Sequence, residues 1–148
     1  MGTIRRMQIS WAWNAALSAL FAGATAVIAK MGLAGVNADL ATLVRTAFVL
    51  IFLLAVFIAL HGAPNVGQLS ARVLTFLALS ALSTALSWLF YYRAIQSGPV
   101  AAVAAIDKGS IIVTAILAAV LLGEALTARV IGGAVLLAAG LWLMTTRT

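Results

Sequence analysis

Residues 73–92 are twenty consecutive positions without a charged side chain, and no other feature limits the possible folds of this chain so sharply. At 1.5 Å of rise per residue, such a run closed into a helix is about 30 Å long, the thickness of a bilayer's hydrocarbon core. Comparable apolar runs begin near residues 11, 40, 99 and 127, the one at 40 carrying Arg45 and the one at 99 carrying Asp107 and Lys108. A soluble domain places charge at roughly 25% of its positions. Here 8% of 148 residues are charged and 65% are hydrophobic, so the chain cannot cover a water-facing surface and is an integral membrane protein. The runs are apolar throughout rather than alternating, which excludes a pore-forming β-barrel. The expected fold class is all-α: five transmembrane helices with short loops, at about 10–31, 40–61, 72–97, 99–122 and 127–146, in a single domain over residues 1–148.

The boundaries follow from local chemistry. A basic head precedes the first run, which is longer than the roughly 7–15 apolar residues of a signal peptide and therefore reads as a retained helix. Gly62, Pro64, Asn65 and Gly67 break the chain after the second run. Ser97-Gly98-Pro99 makes a tight turn after the third, with proline suited to a first helical position. Residues 109–122 alone are too short to span, so the fourth helix must begin near Pro99 and take in Asp107 and Lys108. Ala15, Ala19 and Gly23 recur every fourth residue, as do Ala22 and Ala26. They are either close-packing faces of the kind used in lipid or a by-product of alanine-rich composition. Gly132, Gly133 and Gly140 offer another such face.

Several function classes lack the residues they need. Without cysteine there is neither a disulfide nor a thiolate metal site. The single histidine, His61, sits at a helix end and reads as an interfacial residue, so no metal and no cofactor is expected. The nine basic residues are scattered, with Arg5-Arg6 the one adjacent pair. That pattern anchors helix ends in a bilayer and forms no nucleic-acid patch. Metalloprotease, nucleophile-elbow and phosphate-loop motifs are missing, and Ser80, Ser83 and Ser87 have no histidine to activate them. An enzyme is not expected.

The intramembrane charges remain. Each costs at least about 2.5–3.5 kcal/mol on insertion scales and normally faces a bundle interior or a wet cavity. Five spans put the termini on opposite sides, so the second and fourth helices begin where the first and third end. Arg45 then lies roughly 7–8 Å deep and Asp107 roughly 12 Å, with Lys108 one residue deeper. Lys30 and Arg93 fall within the last turn or so of their helices, and Trp88 and Tyr92 approach this layer on one face of the third. Two readings fit. In one, Arg45 and Asp107 form an ion pair that fixes helix 2 against helix 4, Lys108 snorkels, and the aromatics belong to an interfacial belt. In the other, Arg45, Trp88, Tyr92, Asp107 and Lys108 bind a small-molecule substrate, anionic or zwitterionic, that balances the excess of positive charge.

Short stretches in a fixed order carry a family resemblance. Leu40-Ala41-Thr42-Leu43-Val44-Arg45 opens helix 2, Tyr92-Arg93-Ala94-Ile95 closes helix 3, and Gly98-Pro99-Val100-Ala101 opens helix 4. Leu122-Gly123-Glu124 ends that helix, and Ile131-Gly132-Gly133-Ala134 through Ala139-Gly140 marks helix 5. Over residues 11–144 the chain resembles one repeat of an EamA-type transporter of the drug/metabolite transporter superfamily. The resemblance implies a secondary transporter of a small metabolite, working by alternating access between two repeats as a multi-pass protein of a bacterial inner (cytoplasmic) membrane. Family members typically carry two five-helix repeats in one chain, whereas this sequence holds one. Related small multidrug pumps use a carboxylate in helix 1. Ala22 stands at the matching position, eight residues before Lys30, so their proton-coupled export of cationic drugs does not carry over, and Asp107 is the deep acid able to replace that carboxylate. Because five is odd, consecutive repeats are inverted. A lone repeat rebuilds that arrangement as an antiparallel homodimer or with an inverted paralogue. Arg5, Arg6, Arg72 and Arg129 fall on one side, against Lys30, Arg93 and Arg147 with Arg45 and Lys108 deeper on the other, a near balance that implies dual topology. Two other classes compete: a non-transporting partner subunit of a membrane complex, and a lipid-head-group flippase.

Overall fold

The computed structural model describes residues 2–146, with side chains from Trp11 onward. Arg147 of the charge tally lies outside the described residues, as do the side chains of Arg5 and Arg6. Among the described residues all regular structure is helical: α1 (Gly2–Gly32), α2 (Ala38–His61), a 3-10 turn (Val66–Gln68), α3 (Ala71–Ser97), α4 (Val100–Lys108), α5 (Ser110–Leu122) and α6 (Ala128–Thr145). Five spans are long and apolar enough to cross a membrane: Trp11–Gly32, Ala38–His61, Ala71–Ser97, Val100–Leu122 and Ala128–Thr145. The all-α, five-span class expected from the apolar runs is the one observed. The chain divides into two units, Gly32–Ser97 and Met1–Met31 with Gly98–Thr148.

The unit Gly32–Ser97 is an antiparallel pair, α2 against α3. Asn37 starts α2 by accepting from the backbone N–H groups of Asp39 at 2.9 Å and Leu40 at 3.1 Å, a cap that stabilises a helix by about 1 kcal/mol. Gly62, at φ 81°, ends it in a conformation that costs other residues strain. Leu33, Ala38, Thr42, Tyr92 and Ile95 are buried, Ile95 completely. Thr42 keeps its burial inexpensive by donating its hydroxyl proton to the Ala38 carbonyl at 2.8 Å. Two contacts then close the end of the hairpin. Arg93 Nε and Nη2 donate to Asp39 Oδ1 and Oδ2, each at 2.7 Å, and Gln96 Nε2 donates to the Val36 carbonyl at 2.6 Å.

In the other unit α4 packs on α6 and α5 touches both. Lys30 Nζ donates to the Gly98 carbonyl at 3.2 Å, tying the end of α1 to the turn before α4. Ala26, Ala102 and Ala105 are buried, while Ala15, Ala19 and Gly23 are exposed. Thr127 caps α6 by accepting from the Val130 N–H at 3.3 Å. The fourth span is not the continuous helix its sequence suggests, because it breaks at Gly109. There the Gly109 N–H bonds to Ile106 O at 2.9 Å and the Ile112 N–H to Gly109 O at 3.0 Å, both reaching back three residues instead of four. A Cβ at position 109 would lie 2.9 Å from the Ile106 carbonyl oxygen and 3.6 Å from Leu141 Cδ1. Glycine therefore permits a tightened turn directly after Asp107 and Lys108, and such mid-helix 3-10 stretches often mark hinges.

Candidate functional site

Arg45 is the centre of the hairpin's chemistry. Its guanidinium carbon lies 4.3 Å over the Trp88 ring and 5.7 Å from the Tyr92 ring centre. The helical period explains the meeting: Trp88 and Tyr92 stand one turn apart on α3, and antiparallel packing brings both alongside the first two turns of α2. Such cation–π contacts contribute about 0.5–2 kcal/mol, more as water is excluded. They do not satisfy the guanidinium's donors, however. Arg45 Nη1 is buried with no hydrogen-bond partner. The one acid in this unit, Asp39, is held through both oxygens by Arg93. Within its unit Arg45 is a partly desolvated cation faced by π clouds and by no counter-ion.

Beside it a groove of about 540 Å³ runs between α2 and α3. Trp88 and Asp39 line one end and Leu77 the other, with Leu43, Ala81, Ala85 and Leu89 as apolar wall. Thr42 and Thr46 of α2 and Ser80 and Thr84 of α3 add hydroxyls. Three of these donate to their own helices, Thr42 to Ala38 O at 2.8 Å, Thr46 to Thr42 O at 2.7 Å and Thr84 to Ser80 O at 2.9 Å. Their protons are committed to backbone carbonyls rather than to the groove.

Of the five residues singled out from sequence, the structure brings Arg45, Trp88 and Tyr92 into one cluster. Asp107 and Lys108 belong to the other unit and face each other, Lys108 Nζ to Asp107 Oδ2 at 3.3 Å, both side chains more than a third exposed. Neighbouring helix positions point about 100° apart, so the flexible lysine stem must curl back to make this contact. His61 stacks on Phe57 at the end of α2, ring centres 5.0 Å apart. Sequence reasoning missed the Asp39–Arg93 pair and the hydroxyl-edged groove. The pair had a usable signal: an acid in the first turn of α2 and a base near the end of α3 share one membrane face.

The EamA-like transporter family matches residues 9–146. The chain belongs to that family. It is also similar to a protein of Sinorhizobium sp. described as "Uncharacterized transporter in cobO 3'region", 43% identical over 138 residues that make up 93% of this chain and 98% of that protein. No solved structure matches. Five apolar spans and membership of the EamA-like family make this a multi-pass membrane transporter.

Proposed function

We propose that this EamA-like chain is a secondary transporter of a small metabolite, acting by alternating access as an antiparallel homodimer in a bacterial inner membrane. One observation carries the reading: the residues that match the family, 9–146, hold an odd number of spans, five. The Sinorhizobium relative is matched over 98% of its length, so the stretch that holds these five spans corresponds to nearly all of that protein. Two inverted halves are the usual architecture of such transporters, with the substrate near the midplane between them, and a second copy of these five spans, inserted the other way up, gives that arrangement. Arg45, with Trp88 and Tyr92, is the anchor for an anionic or zwitterionic substrate. Asp107 and Lys108, beside the break in the fourth span, are the pair that exchanges partners during the cycle. Irregular backbone at membrane depth is tolerated where it lines a cavity or is covered by protein, which suits that role.

A thermal-stabilisation screen of purified protein across metabolite classes finds the ligand, and flux into proteoliposomes tests the activity. Asp107→Asn and Lys108→Gln, checked to be folded and dimeric, are each expected to lower flux at least tenfold. Parental flux in both would make the pair scaffolding.

A further inference from the structure

Trp88 is a wall shared by two features of the hairpin. One is the Arg45 guanidinium, 4.3 Å from its ring centre. The other is the α2–α3 groove, which Trp88 also lines. Arg45 itself is not part of the groove lining, and its Nη1 is sealed without an acceptor. An unbalanced cation thus sits behind an aromatic panel at the end of an open, metabolite-sized space.

We infer that this groove binds a small amphipathic anion, its apolar body along the groove and its carboxylate or phosphate head on Arg45 once Trp88 turns aside. The inference rests on the transporter reading only for what the binding accomplishes. Charge complementarity sets the head. Arg45 lacks a counter-ion within its unit, whereas along the groove walls Thr42, Thr46 and Thr84 have committed their protons to helix carbonyls and the lining acid, Asp39, is already held by Arg93. The walls set the body. From Trp88 to Leu77 is eleven residues of α3, about 16 Å, flanked by Ala81 and Ala85. That length suits an apolar chain or ring system rather than a compact, fully hydrophilic ion. The volume, about 540 Å³, lies within the roughly 300–1,000 Å³ of small-molecule pockets, which is room for a metabolite-sized anion.

The test uses Trp88 as its own reporter. In the full chain carrying Trp11→Phe, Trp13→Phe and Trp142→Phe, reconstituted in phosphatidylcholine nanodiscs, 4-phenylbutyrate is expected to shift the emission saturably. Acetate, a head without a body, and 4-phenylbutanol, a body without a charge, should bind at least tenfold more weakly. Arg45→Gln should weaken phenylbutyrate binding at least tenfold. Ala85→Leu, which fills the groove and leaves Arg45 untouched, should do the same. Equal responses to acid and alcohol, or binding indifferent to both substitutions, would overturn the inference. So would loss of the response when phosphatidylglycerol is added, because the occupant would then be a lipid. Binding is read without flux. A chain that binds phenylbutyrate but transports nothing retains this site and defeats the transporter reading, and a chain that transports a hydrophilic solute with no phenylbutyrate response does the reverse.

Discussion

Reporters fused to the C-terminus of this chain are expected to appear on both sides of the membrane, in comparable amounts. Orientation follows the Lys/Arg difference between the two faces, and acidic residues contribute little to it. Arg93 therefore counts in full despite its bond to Asp39. The tally is four on one face, Arg5, Arg6, Arg72 and Arg129, against three on the other, Lys30, Arg93 and Arg147, with Arg45 and Lys108 deeper. So small a bias is easily tipped. Arg72→Gln with Arg129→Gln is expected to drive nearly all molecules into one orientation, with Lys30 and Arg93 facing the cytoplasm. Flux should collapse in those cells and return when a variant biased the other way is co-expressed. A parent chain found in one orientation would end the homodimer reading in favour of an inverted paralogue as partner.

Arg45→Gln is expected to lower flux at least tenfold while leaving the thermal midpoint close to the parent's. The two halves of that expectation have separate causes. Loss of the contacts with Trp88 and Tyr92 removes about 0.5–2 kcal/mol, but the substitution also removes a cation that costs at least about 2.5 kcal/mol at membrane depth. The terms oppose each other, and no hydrogen bond to Nη1 is lost. A residue kept for stability would behave differently, since breaking a buried ion pair leaves its partner uncompensated at about 3–5 kcal/mol. A large fall in midpoint, or unaltered flux, would return Arg45 to scaffolding. Arg45→Lys keeps the charge but not the planar face that stacks on tryptophan, so its flux should fall between parent and Gln variant.

Much of the fold was readable because lipid makes the rules few. Uncharged runs as long as residues 73–92 can only span, and Gly62, Asn65 and Pro99 mark where they stop. The meeting of Arg45 with Trp88 and Tyr92 was also within reach, since it needs only an antiparallel hairpin and the helical period. Other features were hidden for physical reasons. A lone glycine within an apolar helix is usually tolerated, so Gly109 gave no sign that the hydrogen bonds there shorten to three residues. The hydroxyls of Thr42, Thr46 and Thr84 look like donors in a sequence, and only coordinates show them bonded to their own backbone. The Asp39–Arg93 pair is hidden in the sequence because the apolar run opens at Leu40, one residue past Asp39, whereas Asn37 caps the helix and places Asp39 in its first turn.

The most direct test of the inverted pair joins two copies of the chain end to end. Five spans leave the C-terminus opposite the N-terminus, so a short soluble linker forces the second copy to insert upside down. A linker that contains one additional transmembrane helix forces the two copies parallel. Flux of the ligand found by thermal stabilisation, measured in proteoliposomes, should match that of the free chains for the first tandem and fall to background for the second. An active parallel tandem beside an inactive inverted one would contradict the antiparallel homodimer outright.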